Sequence, residues 1–182
     1  MGLTPLEGLP GATRSGTLDP SLIFHYTSHA SKLSQSATGD VHISTAEEIL
    51  NKKAGWKALT GTTDFGVVTK KAAQGDEMAR LAVDILVDRV VGYIGSYWVK
   101  MAGKVDALVF AGGIGEKGSE FREEVCRRCA CLGVRIERGR NGEVGGREEE
   151  VCEISDGEGV KTLLVRTDEQ VSSLFLRGAD LD

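Results

Sequence analysis

Residues 1–20, MGLTPLEGLPGATRSGTLDP, constrain the fold most, because they hold all three prolines of the chain and four of its glycines. Proline fixes the backbone torsion φ, and glycine permits torsions that other residues rarely adopt. No long apolar run interrupts this segment, which predicts a structured loop rather than a helix or core strand. The loop would present one arginine, Arg14. A planar guanidinium suits phosphate or carboxylate oxygens, although a surface turn with a solvated arginine explains the composition equally well.

Length and charge limit the class of protein. A chain of 182 residues, 41% of them hydrophobic, predicts one domain over residues 1–182 with a proper core. The net charge of −5 and the lack of a basic run argue against nucleic acid or an anionic membrane as partner. No stretch approaches the ~20 apolar residues of a transmembrane helix, and the first residues do not resemble a signal peptide. We therefore expect a cytoplasmic protein.

The four cysteines allow two interpretations. Cys126, Cys129 and Cys131 lie together as Cys-Arg-Arg-Cys-Ala-Cys, and Cys152 follows later. Such ligands suggest a zinc site. However, a helix predicted over residues 119–132 would place Cys126 and Cys129 on one side and Cys131 off it. Reduced thiols of a cytoplasmic protein are therefore the preferred interpretation.

The first half of the chain reads as helical. An Asp-Pro pair at residues 19–20 is typical of a helix start and predicts a short helix over 21–27. Thr45 and Glu48 form a capping box, which predicts a helix that ends near Gly55. The other predicted elements are a loop or short helix over 28–42, a turn-rich loop over 59–65, and a long helix over 74–103.

The long predicted helix carries apolar residues at spacings of three and four, which indicates a buried stripe. Gly92 and Gly95 interrupt it, and their missing side chains suggest the close approach of another helix. Internal packing and a subunit interface explain this stripe equally well.

The second half alternates strands and helices, which predicts an α/β fold. Strands are predicted over 105–110, 134–137 and 161–165, helices over 119–132 and 168–176, a glycine-rich turn over 111–118, and an exposed excursion with a hairpin over 139–159.

The segment VFAGGIGEKGS has the layout of a nucleotide site, because a strand ends at Phe110, glycines follow, and a helix begins. Backbone N–H groups at such a strand end favour phosphate. Gly113, Gly115 and Gly118 also match G-x-G-x-x-G, with Glu137 about 20 residues on. An NAD-binding oxidoreductase is therefore one hypothesis. The late position of the motif, and the lack of a recognisable hydride-transfer site, weaken it.

Five motifs occur in a fixed order: GLTPLEGLPGATRSGTLDP, ILNKKAG, GTTDF, VFAGGIGEKG and LLVRTDE. Together they resemble the carboxyl-terminal half of the acetate kinase family, and GGIGEKG is similar to the form in fungal members. The resemblance implies the carboxyl-terminal lobe of an actin/hexokinase-like (ribonuclease H-like) kinase fold, with a mixed sheet flanked by helices. It also implies that the amino-terminal lobe, with its own catalytic groups, is absent.

The same resemblance implies phosphoryl transfer between ATP and acetate, giving ADP and acetyl phosphate, with Mg²⁺. The implied partners are acetate or acetyl phosphate, the nucleotide, and either a second copy of the chain or the missing lobe. We expect no activity without that lobe. A non-catalytic nucleotide-binding or dimerisation module is the alternative from another class, and propionate or butyrate remain open as substrates.

Site residues follow from the resemblance motif by motif. Arg14, beside Thr13, is similar to the arginine that holds the substrate carboxylate and the transferring phosphoryl group. Its structural alternative is an arginine that braces its own loop. The remaining implied residues are Asp64 and Phe65 beside adenosine, Gly112, Gly113, Ile114, Gly115 and Lys117 at the nucleotide, and Glu169 at magnesium.

Three positions depart from the bacterial pattern. Lys117 stands where many relatives have asparagine, Gly66 where they have arginine, and Gln170 where a second acid follows Glu169. The first two put the adenosine contacts in doubt. Asp64 has an Asx turn as its structural alternative, and Glu169 a helix N-terminus. His25, His29 and His42 match no motif and receive no role.

Overall fold

The computed structural model describes residues 4, 6–26, 32–35, 43–143 and 149–167. The chain divides into two compact units, Met1–Tyr93 and Ile94–Asp182. The helices are α1 (Ser21–Tyr26), α2 (Thr45–Lys52), α3 (Gly55–Thr60), α4 (Phe65–Ala73), α5 (Glu77–Lys100), α6 (Gly112–Lys117), α7 (Ser119–Arg128) and α8 (Arg138–Glu143); the strands are β1 (Ala107–Phe110), β2 (Val151–Glu153) and β3 (Lys161–Val165).

Side-chain caps fix the starts of the first two helices. Asp19 accepts a hydrogen bond from the Ser21 amide at 2.8 Å, as predicted for α1. Ser44 rather than Thr45 caps α2, because its hydroxyl accepts from the Glu47 amide at 3.1 Å. Such a cap contributes about 1 kcal/mol to helix stability. The predicted helix end near Gly55 is wrong, since α2 stops at Lys52.

The turn-rich loop predicted over residues 59–65 is confirmed for residues 61–64, which separate two short helices. Helix α3 continues to Thr60, and α4 begins at Phe65. Trp56 and Phe65 are both buried, with ring centroids 5.1 Å apart in an edge-on arrangement. The burial of two aromatic side chains in one small core stabilises these helices. A helix of six residues such as α3 is too short to show a periodic pattern in the sequence.

The long predicted helix is confirmed as α5, but its stripe is only partly buried. Ala79, Ala82, Leu86 and Val87 lie in the core. Several members of the predicted stripe are exposed: Met78, Leu81, Ile85, Tyr97 and Met101. A side chain added at Gly92 or Gly95 would meet open space, so no other described residue makes the predicted close approach there.

The second unit contains a three-stranded mixed sheet in the order β1-β3-β2. Strands β1 and β3 are parallel, with Phe110 opposite Leu164, whereas β2 and β3 are antiparallel. The strands predicted over 105–110 and 161–165 are confirmed. The parallel pairing brings the carboxyl ends of β1 and β3 to the same edge of the sheet.

Four predictions for this unit need correction or cannot be compared. Residues 134–137 form no strand, because Val134 makes only an isolated bridge to Val160 and Glu137 instead caps α8. The glycine-rich turn is the helix α6. Helix α7 ends at Arg128, and a short 3-10 helix, Ala130–Leu132, follows. The helix predicted over 168–176 lies outside the described residues.

The four cysteines are free thiols in the structure. Cys126 is buried in α7 and Cys129 is buried at its C-cap, whereas Cys131 is exposed in the 3-10 helix that follows. The predicted single helix over all three cysteines is therefore wrong, although Cys131 does differ from the other two in exposure. Burial raises the pKa of the Cys126 thiol to about 12. A buried thiol of this kind is inert. Across the described ranges, no group of three or more His, Cys, Asp or Glu side chains is placed to hold a metal ion.

None of the helices in the described part of the chain is long and apolar enough to cross a membrane.

The Glu124 carboxylate predicts an acid-dependent part of the stability. Arg127 donates to both of its oxygens at 2.6 and 2.7 Å, and Arg128 donates at 2.8 Å. These bonds lower the pKa of Glu124 from its usual 4.5 to about 2. The stabilisation is therefore complete above the unfolded value and is lost as pH falls from 4.5 towards 2.

We expect Glu124→Gln to lower the free energy of unfolding by about 1 kcal/mol or less at pH 7, since the cluster is partly solvated. The difference from the unsubstituted chain should shrink by about half near pH 3.3. Urea unfolding at both pH values measures it. Glu7→Gln, which removes an exposed carboxylate of the first unit, is the control. A difference that stays constant with pH would contradict this assignment.

Candidate functional site

The Arg14 loop, residues 8–17, is closed at its base by hydrogen bonds between Gly8 and Thr17. The Thr17 amide donates to the Gly8 carbonyl at 3.1 Å, and the Gly8 amide donates to the Thr17 hydroxyl at 3.0 Å. At the tip, the Gly11 amide donates to the Arg14 carbonyl at 3.0 Å. The predicted structured loop is therefore a tight turn on a paired base.

The end of helix α2 holds one side of the Arg14 loop. The Thr13 hydroxyl donates to the Asn51 carbonyl at 2.9 Å, and the Ser15 amide donates to the Leu50 carbonyl at 2.8 Å. In return, the Ala54 amide donates to the Thr13 carbonyl at 2.9 Å. Because the carbonyls at a helix C-terminus lack intrahelical partners, they are free to bind the loop.

The start of helix α3 holds the other side. The Trp56 amide donates to the Gly11 carbonyl at 3.2 Å, and the Lys57 amide donates to the Ala12 carbonyl at 2.9 Å. Gly55, at φ +68°, lets the backbone turn into this position. A side chain there would overlap the Gly11 carbonyl oxygen and lie 2.8 Å from the Ala12 carbonyl. The ILNKKAG motif thus shapes the Arg14 loop through its backbone.

The aliphatic part and Nε of the Arg14 side chain are held in place, whereas its terminal nitrogens have no partner among the described residues. Its side chain is half-buried, and Nε donates to the Leu9 carbonyl at 3.4 Å. A side chain at Gly11 would lie 3.1 Å from the Arg14 Cγ, so the stem runs directly over this glycine. Among the described residues, no hydrogen-bond partner occurs for the two terminal nitrogens. Arg14 therefore braces its loop through Nε only, which leaves the terminal nitrogens available to an anion.

An apolar cavity of about 270 Å³ lies beneath the Arg14 loop. Its walls include Pro10 and Ser15 of the loop, together with Trp56, Leu59 and Ile85. Empty space contributes no packing contacts. The position of the Arg14 loop therefore depends on its hydrogen bonds to α2 and α3 more than on side-chain packing beneath it.

Asp64 and Phe65 both have structural roles. The Asp64 carboxylate caps α4 by accepting from the Gly66 and Val67 amides at 2.8 and 3.3 Å. Phe65 is only 8% exposed and packs against Trp56. These contacts agree with the Asx-type alternative for Asp64. A role beside adenosine stays a prediction for both residues.

The glycine corner, residues 111–118, follows β1. Ala111 is extended, and Gly112 turns the chain at φ +71°, a torsion that favours glycine. Gly113 and Lys117 are exposed, whereas Gly115 is buried. The Gly112 amide was expected to face phosphate, but it donates to the Glu116 carboxylate at 3.1 Å. The Gly112 amide is therefore engaged by the protein's own carboxylate.

Glu116 also binds the segment after β3. Its Oε1 accepts from the Thr167 amide at 3.0 Å and from the Thr167 hydroxyl at 2.9 Å. These bonds, the backbone one first, lower the pKa of Glu116 below its usual value, with smaller contributions from Gly112 and Arg166. The carboxylate therefore stays ionised, and it connects the segments that follow β1 and β3.

Arg122 holds the other end of the glycine corner. The side chain is 2% exposed, and its Nη1 donates to the Gly115 and Glu116 carbonyls at 2.7 and 2.8 Å. Nε and Nη2 donate to the Asn141 side chain and carbonyl at 2.7 and 2.9 Å. The Asn141 amide in turn donates to the Ser119 carbonyl. Burial lowers the pKa of Arg122, but each of its three nitrogens makes a hydrogen bond.

Sequence reasoning missed both residues. Arg122 carried a usable signal, because it falls at helical spacing on the apolar face of Val125, Cys126 and Cys129. A charged residue on such a face needs buried partners. Glu116 carried no such signal, since its partner Thr167 lies 51 residues further along the chain.

Glu137, the acidic residue on which the dinucleotide hypothesis depends, is engaged in other contacts. Glu137 follows no strand of the sheet, and its carboxylate accepts from the Gly139 and Arg140 amides at 2.9 and 2.6 Å. An acid engaged by a helix start is not placed to bind a ribose hydroxyl in the manner that the fingerprint requires. The structure therefore does not support an oxidoreductase.

The sequence-predicted residues fall in separate parts of the chain. Arg14, Asp64 and Phe65 belong to the first unit, and the glycine corner with Lys117 belongs to the second. Glu169 lies outside the described residues. Within the first unit, Trp56 connects two of the predicted segments, because its backbone binds the Arg14 loop and its ring packs on Phe65.

Comparison with known proteins gives a consistent result. The sequence profile of the Acetokinase family matches residues 1–173. A probable acetate kinase of Emericella nidulans is 55% identical over 178 residues, which cover 96% of this chain and 42% of that protein. The chain therefore spans about two fifths of the length of this relative.

Solved structures agree with the fold. A propionate kinase from Francisella tularensis superposes with a TM-score of 0.76 at 34% identity, over 94% of this chain and 40% of that one. An acetate kinase from Porphyromonas gingivalis gives 0.74 at 30% identity, over 97% and 42%. The predicted fold class, a mixed sheet flanked by helices in a kinase of this type, is confirmed.

Gly55→Ala tests whether helix α3 shapes the Arg14 loop. Left-handed torsion costs a non-glycine residue roughly 1–2 kcal/mol, and here the new side chain also meets loop carbonyls. We expect a larger drop in unfolding free energy than for Gly61→Ala, where φ is +74° but the space is open. Amide exchange at Trp56 and Lys57 should accelerate only in Gly55→Ala. Equal losses in both variants would contradict the proposed support.

Proposed function

Because the chain belongs to the acetokinase family, we propose that it forms the carboxyl-terminal part of a phosphotransferase that acts between ATP and acetate. The products are ADP and acetyl phosphate. One observation carries the proposal for this chain's own residues: Arg14 is held at its stem on a braced loop, while its terminal nitrogens have no partner among the described residues.

The chemistry needs such a cation. An oxygen of the acetate carboxylate attacks the γ-phosphorus of ATP, the new O–P bond forms, and the bond to the bridging oxygen of ADP breaks. Two anions must approach each other, so positioning and charge neutralisation supply most of the catalysis. A guanidinium that is planar and always charged suits both a carboxylate and the moving phosphoryl group.

We assign the nucleotide to the glycine corner of the second unit. Gly112, Gly113, Ile114 and Gly115 follow the carboxyl end of a strand, where ligands of open α/β sheets bind. Bonds from Glu116 and Arg122 hold this backbone at both ends. The exposed Lys117 adds a cation at the end of α6. Asp64 and Phe65 remain our candidates for the adenosine region.

Magnesium enters as part of the nucleotide substrate. No metal-binding group of three or more ligands occurs among the described residues, and the Glu116 carboxylate is engaged by Gly112 and Thr167. Mg²⁺ commonly binds through substrate phosphates with one or two carboxylates. Glu169 is our candidate for such a carboxylate.

The relatives' greater length bears on activity. This chain spans 42% of the Emericella protein, so we propose that groups from the remaining length complete the catalytic site. A second copy of the chain is the other proposed partner. Acetate is the proposed acyl substrate, and the likeness to a propionate kinase keeps propionate as the alternative.

Nucleotide choice tests the class of protein. Isothermal titration of the 182-residue chain should show binding of ADP with Mg²⁺ and no binding of NADH, because the acidic fingerprint residue is engaged elsewhere. Binding of NADH without ADP would overturn the kinase proposal. ADP binding by the chain, with no acetyl phosphate from any assembly that contains it, would favour the non-catalytic module.

Arg14→Ala tests the catalytic role. A chimera that carries these 182 residues in place of the matching segment of the Emericella protein should form acetyl phosphate, measured as its hydroxamate, whereas the 182 residues alone should not. In the chimera, Arg14→Ala should lower turnover on the order of 10³-fold. Arg80→Ala removes an exposed cation of helix α5 and is the control. Near-normal turnover in Arg14→Ala would remove Arg14 from the site.

A further inference from the structure

Glu116 makes contacts that its position in a surface helix does not require. One oxygen, Oε1, accepts three hydrogen bonds: from the Gly112 amide, the Thr167 amide and the Thr167 hydroxyl. All three distances lie between 2.9 and 3.1 Å. Bonds to an ionised acceptor are roughly twice as strong as neutral ones. The residue therefore makes a specific connection between two segments of the chain.

The two segments leave the sheet side by side. Parallel pairing sets Phe110 of β1 opposite Leu164 of β3. The chain then continues to Gly112 on one side and to Thr167 on the other. Beyond the last strand pair, the sheet supplies no further ladder bond between them. Glu116 provides the next connection, and we call the three bonds the Glu116 latch.

The glycine corner depends on this latch for its shape. Ala111 at the start of α6 offers no side-chain cap, and a helix of six residues has little stability of its own. Gly112 adopts a left-handed backbone torsion, but glycine has many other accessible torsions, so this conformation needs external support. Arg122 fixes only the carbonyls of Gly115 and Glu116 at the far end. The near end of the corner is held by Glu116.

We propose that Glu116 is a positioning residue for the nucleotide, which fixes the diglycine corner against Thr167 without contacting the reacting atoms. This inference rests on the proposed function, because the corner is the assigned nucleotide site. A preformed corner spares the nucleotide the entropic cost of ordering the loop. Loss of the latch then weakens nucleotide binding while the fold persists.

Three substitutions, with Thr167→Ser as the rescue of Thr167→Val, separate the contributions. Glu116→Met keeps the length of the side chain and removes the acceptor, Glu116→Gln keeps an acceptor oxygen without the charge, and Thr167→Val removes one donor. The control is Glu120→Met, which removes an exposed carboxylate from the start of α7. Titration of ADP with Mg²⁺, at a temperature where every variant is fully folded, gives the affinities.

We expect at least a tenfold weaker affinity in Glu116→Met, a loss of threefold or less in Glu116→Gln, and no change beyond twofold in Glu120→Met. Thr167→Val should weaken binding by itself and have no further effect when combined with Glu116→Met, since residues in one network are not additive. Thr167→Ser should restore the affinity. A merely structural role would leave the affinities of fully folded variants equal.

A measurement without ligand tests the latch itself. Amide hydrogen exchange at Gly112 and Thr167 should accelerate at least tenfold in Glu116→Met and stay unchanged in Glu120→Met. Unchanged exchange, or wild-type ADP affinity in Glu116→Met, overturns the positioning role and leaves the kinase proposal standing. Accelerated exchange in a chain and a chimera that both fail to bind ADP supports the latch and overturns the nucleotide site.

Discussion

Backbone hydrogen bonding is the constraint on which both candidate segments depend. Glycine-rich chain has few side chains with which to pack, so hydrogen bonds to its N–H and C=O groups must hold it in place. The Arg14 loop finds them in the end of α2 and the start of α3. The glycine corner finds them in Arg122 and Glu116. In each case hydrogen bonds to another element add to those that the segment makes within itself.

The two segments use different chemistry for the same purpose. The Arg14 loop is held by neutral backbone groups, which leave the one charge of the loop available at its tip. The glycine corner is held by a buried cation at one end and a partly exposed carboxylate at the other. A buried guanidinium is costly unless it is hydrogen-bonded, and each of the three nitrogens of Arg122 makes at least one of its four hydrogen bonds. Rigid backbone is what a phosphate-binding segment needs.

Local patterns predicted the parts of the fold that local forces decide. The strands β1 and β3, the long helix α5 and the helix with the cysteines were all recognisable, because periodicity and capping act over a few residues. Sequence patterns gave wrong predictions where tertiary contacts determine the local structure. Residues 134–137 have strand-like composition, yet a single bridge at Val134 and the capping role of Glu137 prevent a strand. The short helices α3 and α6 were missed, since six residues are too few for a periodic signal.

The sequence by itself determined the α/β class, the stiff loop around Arg14 and the family resemblance, because each depends on residue types at fixed spacing. Tertiary structure decided which polar groups remain available to bind a ligand. It engaged Asp64 in a cap, placed Phe65 in the core, and put the Glu116 carboxylate on the Gly112 amide. It also left the terminal nitrogens of Arg14 without a partner in the described part of the chain. Such pairings join residues as far apart as Glu116 and Thr167, and only folding brings their atoms within hydrogen-bond distance.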